Sequence, residues 1–550
     1  MSEPTRNAAV DYEVVIAGAG PVGLTMAIDL GRRGVRCLIV ERDPTTGPWP
    51  KMDRSNARTM EIYRRLGIAD RVRELGYPAD ASMDVFIVTT LDAPPLATLS
   101  YPSVGEFRDT IAQETGMQQP AEPYQLVSQN RLEPLLKEVA EATENVTVRY
   151  GCPVVGFDQD DDGVTIRLAP LDGPPEQVRA LYLAGCDGGS SAIRKALGIQ
   201  LEGVGGIRTM KQICFRSDTL YDQIPMGKGR HYYFADPEGS AMIVQGDRKE
   251  FTLNSDLPDD ADFAEAVRSR IGFPFEFEIL NIGSWRLHLL VADSYGKGRV
   301  FIAGDAAHLV IPTGGLGMNT GIGDAIDLSW KLAAAVKGWG GPELLASYEQ
   351  ERRPIGLRNR EASGWAAEGL GLWRKHVRPE IRDDTPQGAA NRAEVGEVAK
   401  VHHRRVHDMI GVEFGYSYAG SPLIAHDPEA ATAWQTTIYE PHTRPGLRIP
   451  HIWLSDHTAM QDVLGRDYTL LDLRGDADSA ALEKAFADSG APLAVVRRDE
   501  PHVRQVYGCS VLLLRPDLHI AWRGEALPAD AQSLVAQVTG HAVAPEMLAE

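Results

Sequence analysis

Residues 13–42, EVVIAGAGPVGLTMAIDLGRRGVRCLIVER, open on a short β-branched run, turn through Gly18, Gly20 and Gly23, and continue with apolar residues at helical spacing. VRCLIVER then closes the unit as a second strand, so the pattern predicts strand, glycine turn, helix and strand. Two later stretches repeat the passage from apolar strand to loop. LYLAGCDGGSSAIRKALGI (181–199) runs into Asp187, Gly188 and Gly189 and then a helix capped by Ser190 or Ser191. RVFIAGDAAHLVIPTGGLGMNTGIGDAIDLSWKL (299–332) leaves Asp305 at the end of a strand, before a Pro/Gly loop and a long helix. From 201 to 290 the pattern alternates, as in RHYYFADPEGSAMIVQ, EFTLN and EILNIGSWRLHLL, which predicts a sheet. A charged helical region follows to about residue 415, and YEPHTRPGLRIPHIWL reads as an extended linker into a last unit. There DYTLLDL, SAALEKAFADSG, PLAVVRRD, SVLLLRPDLHIAWRG and DAQSLVAQVTG predict strand, helix, strand, hairpin and helix.

The first glycine turn carries a definite chemistry. Gly18 permits the tight turn, Gly20 lets main chain approach a pyrophosphate, and Gly23 lets helix pack on strand, with the helix N-terminus facing the phosphates. Glu41 ends the second strand 18 residues after Gly23, near the spacing expected of an acid that accepts ribose hydroxyls. The motif alone leaves open whether that ribose belongs to NAD or to FAD. Strand-end acids of open α/β sheets face the ligand crevice, which places Asp187 and Asp305 with it.

Composition narrows the class. The 550 residues carry 56 Lys and Arg against 76 Asp and Glu, a formal charge of −20 without long blocks of one sign, which argues against nucleic acid and anionic membrane as partners. The five cysteines are scattered without a CxxC pair, and no cluster has metal-ligand spacing. MSEPTRNAAVDYE lacks the basic and apolar regions of a signal peptide, and no apolar run reaches the ~20 residues of a spanning helix. A cytoplasmic, disulfide-free enzyme is expected.

VVIAGAGPVGL with IVER, CDGGSSAIRK, and VFIAGDAAHLVIPTGGLGMNTGIGDAIDLSWKLA followed by LLASYEQERRP resemble, in this order, the FAD-dependent aromatic hydroxylases, the single-component flavoprotein monooxygenases of the p-hydroxybenzoate hydroxylase and phenol hydroxylase type. The resemblance implies an α/β fold: a Rossmann-like FAD-binding domain (1–85, 125–200 and 290–365), an interleaved β-sheet substrate domain (86–124 and 201–289), a helical linker region (366–440) and a thioredoxin-like C-terminal domain (441–550) lacking CxxC. It implies FAD as cofactor, NADPH or NADH as transient co-substrate, O2 and a small aromatic substrate as partners, and a homodimer. The reaction implied is hydroxylation of a phenolic ring through a flavin C4a-hydroperoxide. The alternatives are Baeyer–Villiger or epoxidising chemistry on the same scaffold, and an NAD-dependent dehydrogenase.

Site residues carry over position by position. Glu41 would hold the adenosine ribose, Asp305 and Gln129 the ribityl chain, and Asp187 the cofactor and the passing nicotinamide nucleotide. Main-chain N–H groups around Leu316, Gly317, Met318 and Asn319 would face the electron-rich end of the flavin, where a helix start offers about half a positive charge. Asp53 is the expected catalytic proton acceptor, with an N-cap role for Asp53 or Ser55 as the plain alternative. Arg58 and Lys51 are expected near phosphates or the nicotinamide nucleotide, and His308 in a structural role near the flavin. Tyr232, Tyr233, Met242, Trp285 and His288 are candidate pocket residues, and Arg248 a candidate partner of a substrate anion.

Overall fold

The computed structural model describes residues 10–541 apart from 238, 240, 246, 247 and 427–434. Residues 1–9 and 542–550 of the expected outer domains, and 427–434 of the expected linker region, therefore lie outside the described residues.

The β-branched run Tyr12–Ala17 forms the middle of a parallel sheet. Cys37–Val40 and then Val146–Arg149 lie to one side of it, and Glu176–Gly185 and then Val300–Ile302 to the other. Helix Pro21–Arg32 makes the crossover between the first two strands and packs along helix Gly317–Val336, so nearly all its side chains are buried. Because these strands are parallel, their C-terminal ends share one edge. That edge gathers Gly18, Asp187 and Asp305 from three distant parts of the sequence.

A second, seven-stranded sheet runs Glu278–Arg286, Thr209–Arg216, Glu250–Ser255, Ala241–Gln245, His231–Phe234, Val85–Val88, Ala97–Leu99. Val85–Val88 joins it from far upstream, parallel to His231–Phe234 with Val85 opposite His231. The period of two divides its side chains. Tyr232 and Phe234 enter an aromatic core with Phe86, Phe215 and Phe251, whereas Tyr233, Val85 and Ile87 pack with Trp373, Val395 and Ala399. Trp373 lies in the last turn of the 33-residue helix Pro342–Arg374, so part of the expected linker region is core beneath this sheet.

The last unit is a four-stranded sheet, Leu493–Arg497, Tyr468–Asp472, Val511–Leu514, Ile520–Gly524, with only the first pair parallel. Helices Ala480–Ser489 and Ala531–Val538 cover one face together with Trp330 and Leu344 of the upstream helices and Trp339 of the loop between them. The proline-rich stretch expected as a linker instead covers the other face, with Ile449, Ile452 and Leu454 buried there beside Val503 and Tyr507 of helix Pro501–Tyr507. That helix went unanticipated because its seven residues are too few to show a period. Among the described residues, no helix is long and apolar enough to cross a membrane.

Candidate functional site

The nucleotide side is built mainly from backbone. Gly18 has φ +102°, and a Cβ there would lie 2.3 Å from the Cys186 carbonyl oxygen, while a Cβ on Gly23 would lie 2.0 Å from the Gly18 oxygen. Packing demands glycine at both positions. A Cβ on Gly20 would meet no protein atom within 4 Å, so packing does not explain this glycine. Gly20 is also the N-cap of helix Pro21–Arg32 and supplies no side-chain cap, which leaves the first-turn N–H groups available to an anion. Glu41 reaches back to this loop: its Oε2 accepts the Ala19 N–H at 2.8 Å and its Oε1 the Asp43 N–H at 3.1 Å. Each carboxylate oxygen retains capacity for a hydroxyl donor.

Asp187 Oδ2 accepts the N–H groups of Ala192 and Ile193 at 2.8 and 3.2 Å, and its Oδ1 is buried without a protein partner among the described residues. The cap of that short helix is Ser191, not Ser190. Asp305 follows Gly304, whose φ is +63°. The Asp305 side chain keeps an opening to the crevice, yet desolvation by the protein around it raises its pKa, with His308 and Lys51 pulling the other way.

Leu316 is buried among Ala362, Ala366, Met409 and Val412, and helix Gly317–Val336 starts behind it with no side-chain cap. Gly314 and Gly315, at φ +85° and +65°, make the turn that delivers this helix start. Gly317 and Met318 sit half-buried in its first turn. The Asn319 side chain ties that turn to the segment after Asp53: its Oδ1 accepts the Asn56 N–H at 2.9 Å, and its Nδ2 donates to the carbonyls of Arg54 and Gly315 at 3.0 and 2.6 Å. Gln129 opens helix Gln129–Ala142 beside the same segment, its N–H on the Met52 carbonyl at 3.0 Å and its side-chain amide on Glu133 at 2.5 Å.

Asp53 faces the second sheet. Its Oδ2 lies 3.1 Å from His231 Nε2 and 3.7 Å from an Arg230 nitrogen, with the side chain one-third exposed. Burial opposes ionisation, but Arg230 and His231 outweigh it and hold the carboxyl below the usual aspartate range. His231 is itself pushed down, by burial first and Arg230 second, and so is neutral. In the tautomer with Nε2–H it donates to Asp53. His407 stands 5.6 Å from the His231 ring, and His403 5.5 Å beyond, against Tyr233 at 4.1 Å. Burial drives both of these histidines well below their ordinary pKa. Arg54, over the Tyr124 ring, pairs with Glu413 at 2.8 Å.

Several expectations are corrected. The N-cap of helix Ala57–Arg65 is Asn56, which accepts the Thr59 N–H at 2.9 Å, so neither Asp53 nor Ser55 caps it. Arg58 is buried and donates to the Asp517 carbonyl at 3.1 Å and the Tyr416 hydroxyl at 3.5 Å, which ties its helix to the C-terminal unit. Lys51 does remain exposed, near Asp305. Tyr232 points away from Asp53, stacked on Phe86 and donating to the Gly227 carbonyl at 3.1 Å, so it is core. Met242 is packed beside Tyr233, Trp285 is half-buried on the edge strand Glu278–Arg286, and His288 Nδ1 accepts the Gly206 N–H at 3.1 Å. Arg248 lies over the Tyr221 ring. His308 is buried with Nε2 2.8 Å from Asp324, the structural setting expected, although the carboxylate that orients it had not been identified. Arg230 and His231 were missed beside the tyrosines of RHYYF. The signal was alternation, which puts His231 and Tyr233 on one face and Tyr232 on the other.

Gly20, Asp187 Oδ1 and the uncapped helix start at 317 are each left open by the protein, and together they fit a dinucleotide with an attached electron-rich ring. The sequence matches the FAD binding domain family over residues 11–363 and the aromatic-ring hydroxylase C-terminal family over 442–542. It is 35% identical to the FAD-dependent monooxygenase apdD of Emericella nidulans, over 96% of this chain and 90% of that one. Identity to aklavinone 12-hydroxylase RdmE of Streptomyces purpurascens is 32%, over 95% and 97%. The structure of the rebeccamycin biosynthetic enzyme RebC with reduced flavin superimposes with a TM-score of 0.88 at 34% identity, over 98% of this chain and 100% of that. An NAD-dependent dehydrogenase, which would leave residues 304–332 without a role, is set aside. The chain belongs to the FAD-dependent monooxygenases that carry the aromatic-ring hydroxylase C-terminal segment, and its cofactor is FAD.

Proposed function

We propose that the protein hydroxylates a phenolic ring of an aromatic polyketide-like substrate, using NADPH or NADH and O2. The observation that carries this reading is Asp53, an ionised and partly exposed carboxylate oriented by Arg230 and neutral His231 beside the loop that bears the helix start at Leu316. The substrate class is supported by the relatives, one of which is named for hydroxylating aklavinone.

In this reading Gly18, Gly20, Gly23 and the N-terminus of helix Pro21–Arg32 hold the pyrophosphate, Glu41 the adenosine ribose, Asp305 and Gln129 the ribityl chain, and Asp187 the cofactor and the passing nicotinamide nucleotide. The first turn at Leu316, Gly317, Met318 and Asn319 stabilises negative charge on the pyrimidine end of the flavin. FAD held by these residues would supply the redox chemistry, taking hydride from the nicotinamide and passing one oxygen atom of O2 to the ring while the other leaves as water. The protein's own part is to exclude water and orient the phenol. With its pKa held low, Asp53 stays ionised, a charged hydrogen-bond acceptor but a weak base and a weak proton store. It draws the phenolic O–H toward itself and raises electron density on the ring carbon to be attacked. Arg230 keeps that carboxylate ionised, and His231 fixes its rotamer.

The C-terminal strand order and its strand–helix–strand–helix–hairpin–helix sequence support the thioredoxin-like reading of that unit. Cys509 is buried, and its thiol is pushed up to about 11 by burial, which removes thiol exchange from its chemistry. Measuring NAD(P)H-dependent O2 uptake with a panel of multi-ring phenols, ketones and alkenes, with product masses, tests the proposal. Phenol-stimulated uptake with a product heavier by one oxygen is expected; ester formation from ketones with every phenol inert would overturn it.

A further inference from the structure

The hairpin turn between Val511–Leu514 and Ile520–Gly524 contacts the helices that carry both halves of the site. Arg515, fully buried, donates to Glu351 Oε1 and Oε2 at 2.6 and 2.8 Å, to Asp327 at 3.1 Å, and to Asp517 in its own turn at 2.7 Å. Lys331 completes the cluster, 2.8 Å from Asp327 and 2.6 Å from Glu351. Asp327 and Lys331 stand on helix Gly317–Val336, whose first turn faces the crevice, and Glu351 on helix Pro342–Arg374.

Arg352, the next residue along, donates to Asp324 Oδ1 at 2.8 Å, to the Thr320 carbonyl at 3.0 Å and to the Tyr418 hydroxyl at 2.8 Å. Asp324 Oδ2 accepts the Gly304 N–H at 3.0 Å and lies 2.8 Å from His308 Nε2. The chain of contacts thus ends one residue before Asp305. In the other direction, the Asp517 carbonyl accepts from Arg58 at 3.1 Å, and Arg448 of the C-terminal segment holds Glu61 at 3.1 Å. Arg58 and Glu61 belong to the helix that follows Asp53.

The carboxylates of Asp327, Glu351 and Asp517 converge closely enough to suggest a cation site, but Lys331 and Arg515 already occupy their oxygens. Burial pushes the Asp327 carboxyl up, while Arg515 and Lys331 hold Glu351 low despite its burial. A buried network of this kind yields little net stability over apolar packing, and its recognised use is to fix one arrangement. A flavin site needs that, because a displacement of about 1 Å between reacting groups can cost roughly 100-fold in rate.

We infer that the C-terminal unit is a positioning element for the flavin site: Arg515 and Asp517 hold the Asp305 loop and the helix start at 316–319 in register with the Asp53 helix. The inference rests on the reading that FAD lies along Gly20, Asp305 and residues 316–319. Full-length Arg515→Lys, which keeps the charge and loses the fork, and Tyr418→Phe, which removes only the Arg352 acceptor, test it. FAD dissociation constants, the visible flavin spectrum and the peroxide released per NAD(P)H would be compared with the wild type. For Arg515→Lys, FAD affinity is expected to fall about ten-fold, the cost of one charge-assisted hydrogen bond, with more peroxide leakage and unchanged circular dichroism. Tyr418→Phe should show a smaller shift in the same direction. If both variants fold and keep wild-type FAD affinity, spectrum and coupling, the inference fails. A wild-type protein that binds no FAD would instead overturn the underlying reading of the site.

Discussion

The two halves of the site are made in different ways. The nucleotide half is mostly main chain: a turn at Gly18, an open glycine at 20, a helix start, and Glu41 folded back onto the loop at 2.8 Å. The proposed substrate half is made of the side chains of Asp53, Arg54, Arg230, His231, His403, His407 and Glu413, brought together only where the second sheet meets the first unit and the following helices. A main-chain site needs particular residues at fixed short spacings. A side-chain site needs only that distant residues share a face.

The sharpest way to break this contrast lies within one motif. Gly23→Ala would place a Cβ 2.0 Å from the Gly18 oxygen, a backbone atom that cannot yield without moving the turn. A loss of about 3 kcal/mol or more and failure to retain FAD are expected by thermal melting and flavin titration. Gly20→Ala meets no protein atom within 4 Å. The apoprotein should therefore melt within about 0.5 kcal/mol of wild type, while FAD affinity falls at least about ten-fold from the lost approach to the pyrophosphate. Equal effects of the two variants on apoprotein stability would remove the distinction between a packing glycine and a ligand glycine.

The same contrast explains what the sequence made legible. The strand–turn–helix unit, the strand-end acids and the late helix start were all readable because each is local and each imposes a spacing. Asp53 was reachable only by resemblance; its partners Arg230 and His231 depend on a strand lying parallel to Val85–Val88, a pairing across more than a hundred residues. The protein partners of Arg58 were equally illegible, because nothing local announces that Asp517 will lie over it. The proline-rich 444–454 stretch misled for a similar reason: extended chain that buries Ile449 and Ile452 has the composition of a linker.

The buried histidines of the substrate half and of the C-terminal unit give the protein a pH signature. His231, His403 and His407 are neutral and buried, with pKa values below the ordinary 6.5, and His451 and His519 are pushed down to about 4, in each case by burial first. The unfolded chain takes up protons near pH 6.5 that the folded chain refuses. Stability should thus be flat above about pH 7 and fall as pH drops from 6.5 toward about 4, at up to about 1.4 kcal/mol per unit for each fully refused proton. Asp305 and Asp327, whose pKa values are raised, work in the opposite sense. Melting temperatures at pH 7.5, 6 and 5 check this, and a protein equally stable at all three would contradict the neutral-histidine assignment.

The smallest expected effect separates the two faces of one strand. Tyr232→Phe removes hydroxyl contacts to Gly227 and Gly229 on the face away from Asp53, and should cost about 1 kcal/mol of stability with kcat/KM unchanged. A fall in kcat/KM with unchanged melting would return Tyr232 to the pocket.

The central claim is that one half holds the flavin while the other acts on the phenol. Its most direct measure is coupled hydroxylation by FAD-loaded Asp53→Ala, with product formed per NAD(P)H consumed and bound FAD quantified in the same sample. The account predicts wild-type FAD content and product formation reduced about 100-fold or more, with reducing equivalents diverted to peroxide. Unchanged coupling with a phenolic substrate, FAD still bound, would contradict it.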